Sequence, residues 1–575
     1  MKLKFLSFLT LVIIATMLLT ACGGPAPAAT QPPAAPATKA PPPPPTEAPP
    51  PPPTVAPPPP ATEVPTEAPV GPQKGGQLVW AETGGYYTLD PYVTPWHAIP
   101  QFAVFDTLLA LKPDLSTYVG YLVEDGWKVA DDNLTLTFTV KKDIKFTDGT
   151  PVTAGALKEV YDQHLDATLA SPGGGDLRDN VKEFQAPDDN TLIVVLKQPY
   201  APIYSVLSSI EINSPTAYKT LGADKFAQAP VGTAQWMVNK ITPDVSILYD
   251  RNPDYNWGPA WYDNKGAAYP DTFLIKYFSD NAVMYATFEA GEVQVASVPP
   301  EFLAKARENK NITIVEGQDT GSTYLGFNVG FKPFDNNNLR VAISYAINRD
   351  ELIQVGLSGE GIPAYTNLVP AEMGFSPEVE AYAKERSDNV DKANEMLAAE
   401  GYTMGADNVL VGTDGKKLEF ILTTTPDDVR KRVAETIQAQ LAEIGIKVTI
   451  ELKETQVVRQ MTIDGTHQMI LWGYAMLDPS ILSYLYSSTR IGASNRTRIN
   501  DPELDKLLVA ADQELNWDKR KEKVAAALTY LVDLRNMIPL FASKYYYAYR
   551  NDLVGGMKFD KLGNPLFNDA YLLNK

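Results

Sequence analysis

Residues 23 to 72 can take no part in a hydrophobic core. Gly23–Pro72 is mostly proline, alanine and threonine, with unbroken proline runs at Pro41–Pro45 and Pro57–Pro60. Proline has no backbone N–H and a fixed φ, so such a stretch forms neither helix nor sheet ladder. The expectation is an extended, semi-rigid tether rising ~3 Å per residue, with a reach on the order of 150 Å. A peptide ligand for a proline-reading domain would have the same composition, but a linker already follows from the position of the segment. Folding therefore starts near Lys74-Gly75-Gly76. The remaining roughly 500 residues exceed what one core normally holds, so two or three lobes are expected.

What precedes the tether suggests a leader. Lys2 and Lys4 give a basic start, Phe5–Leu19 is almost wholly apolar, and Leu19-Thr20-Ala21-Cys22 follows. A basic start, an apolar run and small residues before a cut describe a secretory signal over residues 1–21. A retained spanning helix would need roughly 20 apolar residues. The order Leu, small, small, Cys looks like a bacterial lipobox, with Cys22 lipidated at the head of a tether spanning 22–73. Cys22 is the only cysteine, which removes disulfides and thiol-based metal or nucleophile sites, and two acyl chains suffice for stable anchoring. The whole chain carries −19. Loss of Lys2 and Lys4 with the leader leaves 48 basic against 69 acidic side chains, a balance of −21. Such a chain repels nucleic acid and anionic lipid surfaces.

Downstream of the tether both hydrophobic periods occur, which predicts an α/β fold. Val429, Val433, Ile437, Leu441 and Ile444 make one apolar helix face, with Asp427 as N-cap and Gly445 as a left-handed stop. Ile446, Val448, Ile450 and Leu452 then alternate with polar residues as a strand. With a strand over Leu418–Thr424 this is a βαβ unit. Further strands are predicted at Gln77–Ala81, Leu134–Val140 and Thr191–Lys197, the last in a hairpin.

Motifs for catalysis are missing. His97, His164 and His467 are the three histidines, and no pair has metal-ligand spacing. There is no P-loop and no nucleophile elbow, so neither a metal nor a cofactor is expected and the chain is read as a non-enzyme. The informative surplus is aromatic, with 29 Tyr and 8 Trp. Tyr86, Tyr87, Trp96, Trp236, Trp257, Trp261, Trp472 and Tyr474 stand near glycines, prolines or strand ends. Flat rings with a polar tip suit the grip of a ligand in a wet cleft, although any single Trp is more often core. Trp127 is read as core.

A series of motifs then resembles, in order, the extracytoplasmic solute-binding proteins of the dipeptide and oligopeptide class, family 5. It runs through Thr88-Leu89-Asp90-Pro91, Leu122–Trp127, Leu134–Phe138 and Ile144–Ala154. It continues with Pro230-Val231-Gly232-Thr233, Arg251–Tyr255, Ala290-Gly291-Glu292-Val293, Gly326-Phe327-Asn328, Leu339–Asp350, Asp391-Lys392-Ala393 and Ile444–Val448. The resemblance implies a periplasmic-binding-protein-like clamshell of two lobes (class II type) with an extra third domain. It places lobe I at 74–112, 230–320 and 540–575, the extra domain II at 113–229, and lobe III at 321–539. It also implies hinge closure on a ligand and delivery to an ABC permease with ATPase subunits, by a monomer anchored outside the cytoplasm at the bacterial cell surface or in the periplasm.

Specificity is where the chain departs from the pattern. Peptide-binding members carry an Asp three residues after a Trp, for the peptide's α-amino group. The matching position in Trp472-Gly473-Tyr474-Ala475-Met476-Leu477-Asp478-Pro479 is Ala475. Dipeptide-specific members place an Arg ahead of the Ala434–Gln438 helix for the α-carboxylate, but here Thr423-Thr424-Thr425-Pro426 holds none before Arg430. A buried ammonium without a counter-ion is strongly disfavoured. Two readings follow: peptide import, with another acid in service, or import of an oligosaccharide or other neutral solute. A secreted glycosidase or adhesin on the same lobes is a third reading, from another class. The ligand contacts expected from the resemblance and from side-chain chemistry are Tyr86, Tyr87, Asn328, Trp472, Gly473 and Tyr474, with Asp478 shaping the turn.

Overall fold

The computed structural model describes residues 71–85, 88–93, 99–169, 171 and 173–573. The leader, Cys22 and the tether as far as residue 70 lie outside the described residues, as do Tyr86, Tyr87, Trp96 and His97.

A single twelve-stranded sheet runs through both lobes. Its spine is the fourteen-residue strand Met537–Arg550. The first half of this strand pairs with Gly321–Phe327, from Met537 against Gly326 to Phe541 against Thr323. Its second half pairs with Ile312–Gln318, from Lys544 against Gln318 to Arg550 against Ile312. The polypeptide thus passes between the lobes twice, at Asp319-Thr320 and again near Ala542-Ser543. Gly321 is required at the first crossing. A Cβ there would lie 2.0 Å from the Tyr474 carbonyl oxygen and 2.6 Å from the Ala475 Cα, a backbone collision that would part the two paired strands.

In the lobe nearer the N-terminus, Gln77–Thr83 pairs in parallel with Thr272–Phe278 and Val295–Ser297. Leu78 and Trp80 face one core, Val79 and Ala81 the other. The second lobe contains the predicted βαβ unit. Glu419–Thr424 pairs in parallel with Lys447–Leu452, and helix Asp428–Glu443 connects them. Asp427 caps the helix by accepting from the Arg430 N–H at 2.9 Å, and Gly445 ends it at φ 75°. Strand Met469–Ala475 is covered on both faces, with Met469 and Leu471 in one core and Ile470 and Trp472 in the other. A strand buried on both sides reads as a continuous apolar run rather than an alternation, as Met-Ile-Leu-Trp does.

Between the first strand and the rest of its lobe the chain builds a separate four-stranded antiparallel sheet. Its order is Lys128–Val129, Thr135–Thr139, Thr191–Leu196, Val181–Asp188. Leu136, Phe138, Leu192, Val194 and Leu196 alternate inward onto helix Ala154–His164, where Tyr161 stacks on Phe184 at 4.8 Å. Thr153 caps that helix, accepting from the Ala156 N–H at 3.2 Å. This core also takes in Trp257, which buries its ring and donates to Asp106 Oδ2 at 2.9 Å. Trp236 is buried against Phe273, and Trp127 packs on Phe138 and Tyr204. These indoles hold the fold together rather than facing a cleft. Among the described residues no helix is long and apolar enough to cross a membrane.

Candidate ligand-binding site

The strand Met469–Ala475 runs out of the second lobe's sheet toward the crossing at Asp319, and side-chain direction along it decides what can touch a ligand. Trp472 shares a face with Ile470 and is 6% exposed. Two guanidiniums lie over its ring, Arg430 at 5.3 Å and Arg496 at 5.1 Å. Trp472, expected to stack on a ligand, is instead part of the foundation beneath the site. Tyr474 lies two residues on, on the same face. Its ring is half-buried, packs at a tilt on Tyr484 with centroids 4.9 Å apart, and enters the walls of two cavities. Burial and the Tyr484 hydroxyl raise its pKa, so it stays a neutral donor.

The smaller cavity, about 530 Å³, is lined by Asp319, Ser322, Thr323, Arg430, Gly473 and Tyr474, with Ala475 at its edge. This falls in the range of small-molecule sites. Arg430 belongs to the first turn of helix Asp428–Glu443. Its guanidinium donates to Thr425 Oγ1 at 2.7 Å and lies 3.6 Å from Asp427 Oδ2. A Cβ on Gly473 would stand 3.9 Å from Arg430 Nη2, so the missing side chain leaves this cation open toward the cavity. Asp319 lies on the crossing segment. Protein packed around it raises its carboxyl, and only the Thr320 N–H lowers it. A carboxylate desolvated without a cation gains from a cationic ligand.

The larger cavity, about 900 Å³, lies between the four-stranded domain and the second lobe. Tyr200 and Asp176 stand on one side, Tyr474, Tyr484, Arg490 and Asp512 on the other. Asp478 also borders it, but is fully engaged elsewhere. The Asp478 carboxylate takes two hydrogen bonds from Arg520, at 2.7 and 2.8 Å, and accepts from the Ser480 N–H at 2.9 Å. It is 2% exposed, and it fixes the turn after the site strand, as the sequence reading expects.

Of the six expected contacts, Gly473 and Tyr474 line cavities, Trp472 lies below them, and Tyr86 and Tyr87 lie outside the described residues. Asn328 is a correction. It is 2% exposed, and its amide donates to the carbonyls of Gly465 at 3.0 Å and His467 at 2.8 Å, while its oxygen accepts from the Gly330 N–H. A side chain closed into a turn in this way has no donor left for a ligand. Arg430 could have been suspected from its place in a helix first turn. Asp319, Tyr200 and Arg496 carried no sequence signal, because only the fold brings them to Tyr474. Arg496 is 4% exposed, and its Nε and one Nη have no hydrogen-bond partner among the described residues. No cluster of His, Cys, Asp and Glu suited to a metal ion occurs among the described residues.

Comparison with known proteins agrees with this architecture. The sequence profile of the bacterial extracellular solute-binding proteins, family 5 Middle, matches residues 117–494. The glutathione-binding protein GsiB of Salmonella typhi is 28% identical over 383 residues, spanning 65% of this chain and 69% of the relative. HbpA2 from Haemophilus parasuis superposes with a TM-score of 0.75 at 22% identity, over 86% of this chain and 100% of that one. The oligopeptide-binding protein AppA from Bacillus subtilis, solved in complex with a nonapeptide, gives 0.66 at 23% identity, over 87% and 99%. These solved structures share the fold. The profile match spans most of the folded chain, and the chain belongs to the bacterial extracellular solute-binding proteins of family 5.

Proposed function

We propose that this protein captures peptides with free termini and delivers them to an ABC permease. The observation that carries this is the pairing of Arg430 and Asp319 in one cavity of about 530 Å³. A peptide is a zwitterion, and the cavity offers a guanidinium for its carboxylate and a carboxylate for its ammonium. Asp319 thereby supplies the acid that Ala475 does not. Gly473 leaves main chain open for the ligand backbone, and Tyr474 provides a ring and a hydroxyl. Tyr86 and Tyr87 remain proposed ligand contacts on the ground of the family resemblance alone. Arg496, over the Trp472 ring at 5.1 Å, adds positive potential at the carboxylate end. The names of two relatives point the same way, GsiB as glutathione-binding and AppA as oligopeptide-binding.

Isothermal titration of the purified chain tests the reading. Dialanine and trialanine should bind, N-acetylation and C-amidation should each weaken them by at least about tenfold, the loss of one charged hydrogen-bonded contact, and maltooligosaccharides should not bind. Binding of the sugars without the peptides would replace peptide import by import of a neutral solute.

The proposal places the protein outside the cytoplasm, held to the membrane through Cys22 on its proline tether. A tether keeps the receptor at high local concentration near its permease. Fatty-acid labelling in cells should mark the parent and leave Cys22→Ser unlabelled and released from the membrane; a labelled Cys22→Ser would remove the anchor from this account.

A further inference from the structure

Behind the strand Met469–Ala475, three hydrogen-bond donors are buried without an acceptor among the described residues. They are the guanidinium of Arg496, through Nε and Nη1, and the hydroxyls of Tyr324 and Tyr486. The three residues are 4%, 2% and 1% exposed. We propose that they hold a small monovalent anion, chloride, within the core of the second lobe.

The fold gathers these side chains. Tyr324 stands directly opposite Trp472 across the paired strands, so the two share a face of the sheet. The Arg496 guanidinium lies over that indole at 5.1 Å. Tyr486 ends helix Ile481–Tyr486, and its carbonyl accepts from the amide of Asn495, the neighbour of Arg496, at 3.2 Å. Tyr324, Trp472 and Tyr486 belong to one core. The charge of Arg496 acts on the Tyr324 hydroxyl, and Tyr324 acts in turn on Tyr486. The backbone that carries Arg496 is pinned. Its carbonyl accepts from His467 Nε2 at 2.8 Å, Thr497 Oγ1 accepts from the Asn536 amide at 2.8 Å, and the Thr497 carbonyl accepts from the Val329 N–H at 2.9 Å. A guanidinium on such a segment has little freedom to swing out to solvent.

The donors define the occupant. A guanidinium can only donate. Burial raises both phenols, so their hydroxyls keep their protons and donate too. Charge then decides between water and an anion. The cations around Arg496 have other partners: Arg430 has Thr425 and Asp427, Arg498 has the Ile463 carbonyl, and Arg535 has the carbonyls of Tyr365 and Ala383. Arg496 meets two ring faces, Trp472 at 5.1 Å and Tyr474 at 5.9 Å, and no carboxylate among the described residues. A water would answer the hydrogen bonds and leave a cation uncompensated in a dry site, which is strongly disfavoured. One halide answers both, and one uncompensated guanidinium matches one negative charge rather than the two of sulfate. The site does not rest on the peptide reading. When filled it cancels the potential that Arg496 lends to the carboxylate end, so that contribution is full only at low chloride.

Two measurements on the full chain test this. Crystals soaked in sodium bromide should give an anomalous peak within hydrogen-bonding reach of Arg496 and Tyr324. Urea unfolding at constant ionic strength, with sodium chloride replacing sodium gluconate, reads the same site in solution. Once the site fills, each tenfold rise in chloride should raise the folding constant about tenfold. Arg496→Met removes the charge and should abolish this response. Tyr324→Phe removes one donor and should raise the chloride concentration at which the response begins at least about threefold; it carries the solution test if Arg496→Met does not fold. No bromide peak at Arg496, or an equal chloride response in the parent and in either variant, overturns the site.

Discussion

Asp478→Ala will lower the stability of the second lobe by about 3–5 kcal/mol, the cost of leaving one member of a buried pair uncompensated. Arg520 and Asp478 are 3% and 2% exposed, in bidentate contact. The alanine variant would keep a guanidinium in a dry site, held by the Ala511 carbonyl at 3.2 Å and with the Asp512 carboxylate at 3.7 Å. The pair fastens the turn after the site strand to helix Trp517–Leu534, so Tyr474 and Tyr484 should loosen with it. Urea unfolding followed by tryptophan fluorescence is the measurement. A double variant, Asp478→Leu with Arg520→Met, should recover most of the loss, since a well-packed apolar pair can replace a buried ion pair at little cost. A single variant within about 1 kcal/mol of the parent would show that the pair is not what holds the turn.

The pair also sets a direction with pH. Burial alone would raise the Asp478 carboxyl, but the Arg520 guanidinium and the Ser480 hydrogen bonds outweigh it and hold the carboxyl below its ordinary value. A depressed folded pKa gives stability that is complete above the unfolded value and lost as pH falls through the folded one. The difference between parent and Asp478→Ala should therefore be full at neutral pH and shrink only in strong acid.

Arg430→Ala will weaken binding of dialanine and trialanine by about 2–5 kcal/mol, roughly thirtyfold or more, the range for removing one partner of a desolvated charge contact. The guanidinium is partly exposed, is positioned by Thr425 and by the Trp472 ring, and faces the gap left at Gly473. C-amidated peptides should lose little more from this substitution, because the group that Arg430 holds is already absent from them. Titration of both peptide forms against both proteins makes the cycle. Independent, additive losses from amidation and from Arg430→Ala would place the carboxylate elsewhere. Arg430→Lys should recover only part of the affinity, since an ammonium cannot reproduce the planar fork or its stacking on an indole.

How far the sequence could be read depended on the range of the interactions involved. The helix Asp428–Glu443 and the strands flanking it were legible to within a residue or two, because caps and periodicity act over a few positions. The order of motifs carried the family and its added domain. Trp472 shows where local reading stops. Its type and neighbours suit a stacking platform, yet the sheet is covered at its level, and Tyr474, two residues on and on the same face, reaches the cavity walls instead. Asn328 likewise looked like a free amide and is consumed by two carbonyls about 140 residues further along the chain.

By itself, the sequence determined that the chain holds one cysteine, that the part following the proline-rich stretch is α/β, and that position 475 lacks a carboxylate. Each is a property of residues close together along the chain or of plain counts. Only the tertiary structure decided which charges meet across the cavity. Asp319, Arg430 and Tyr474 are far apart along the chain, as are Tyr200 and Tyr484, and sheet register and domain packing alone bring them to the same walls. The acid missing at Ala475 is therefore a statement about one strand. The charge available to a ligand belongs to the whole fold.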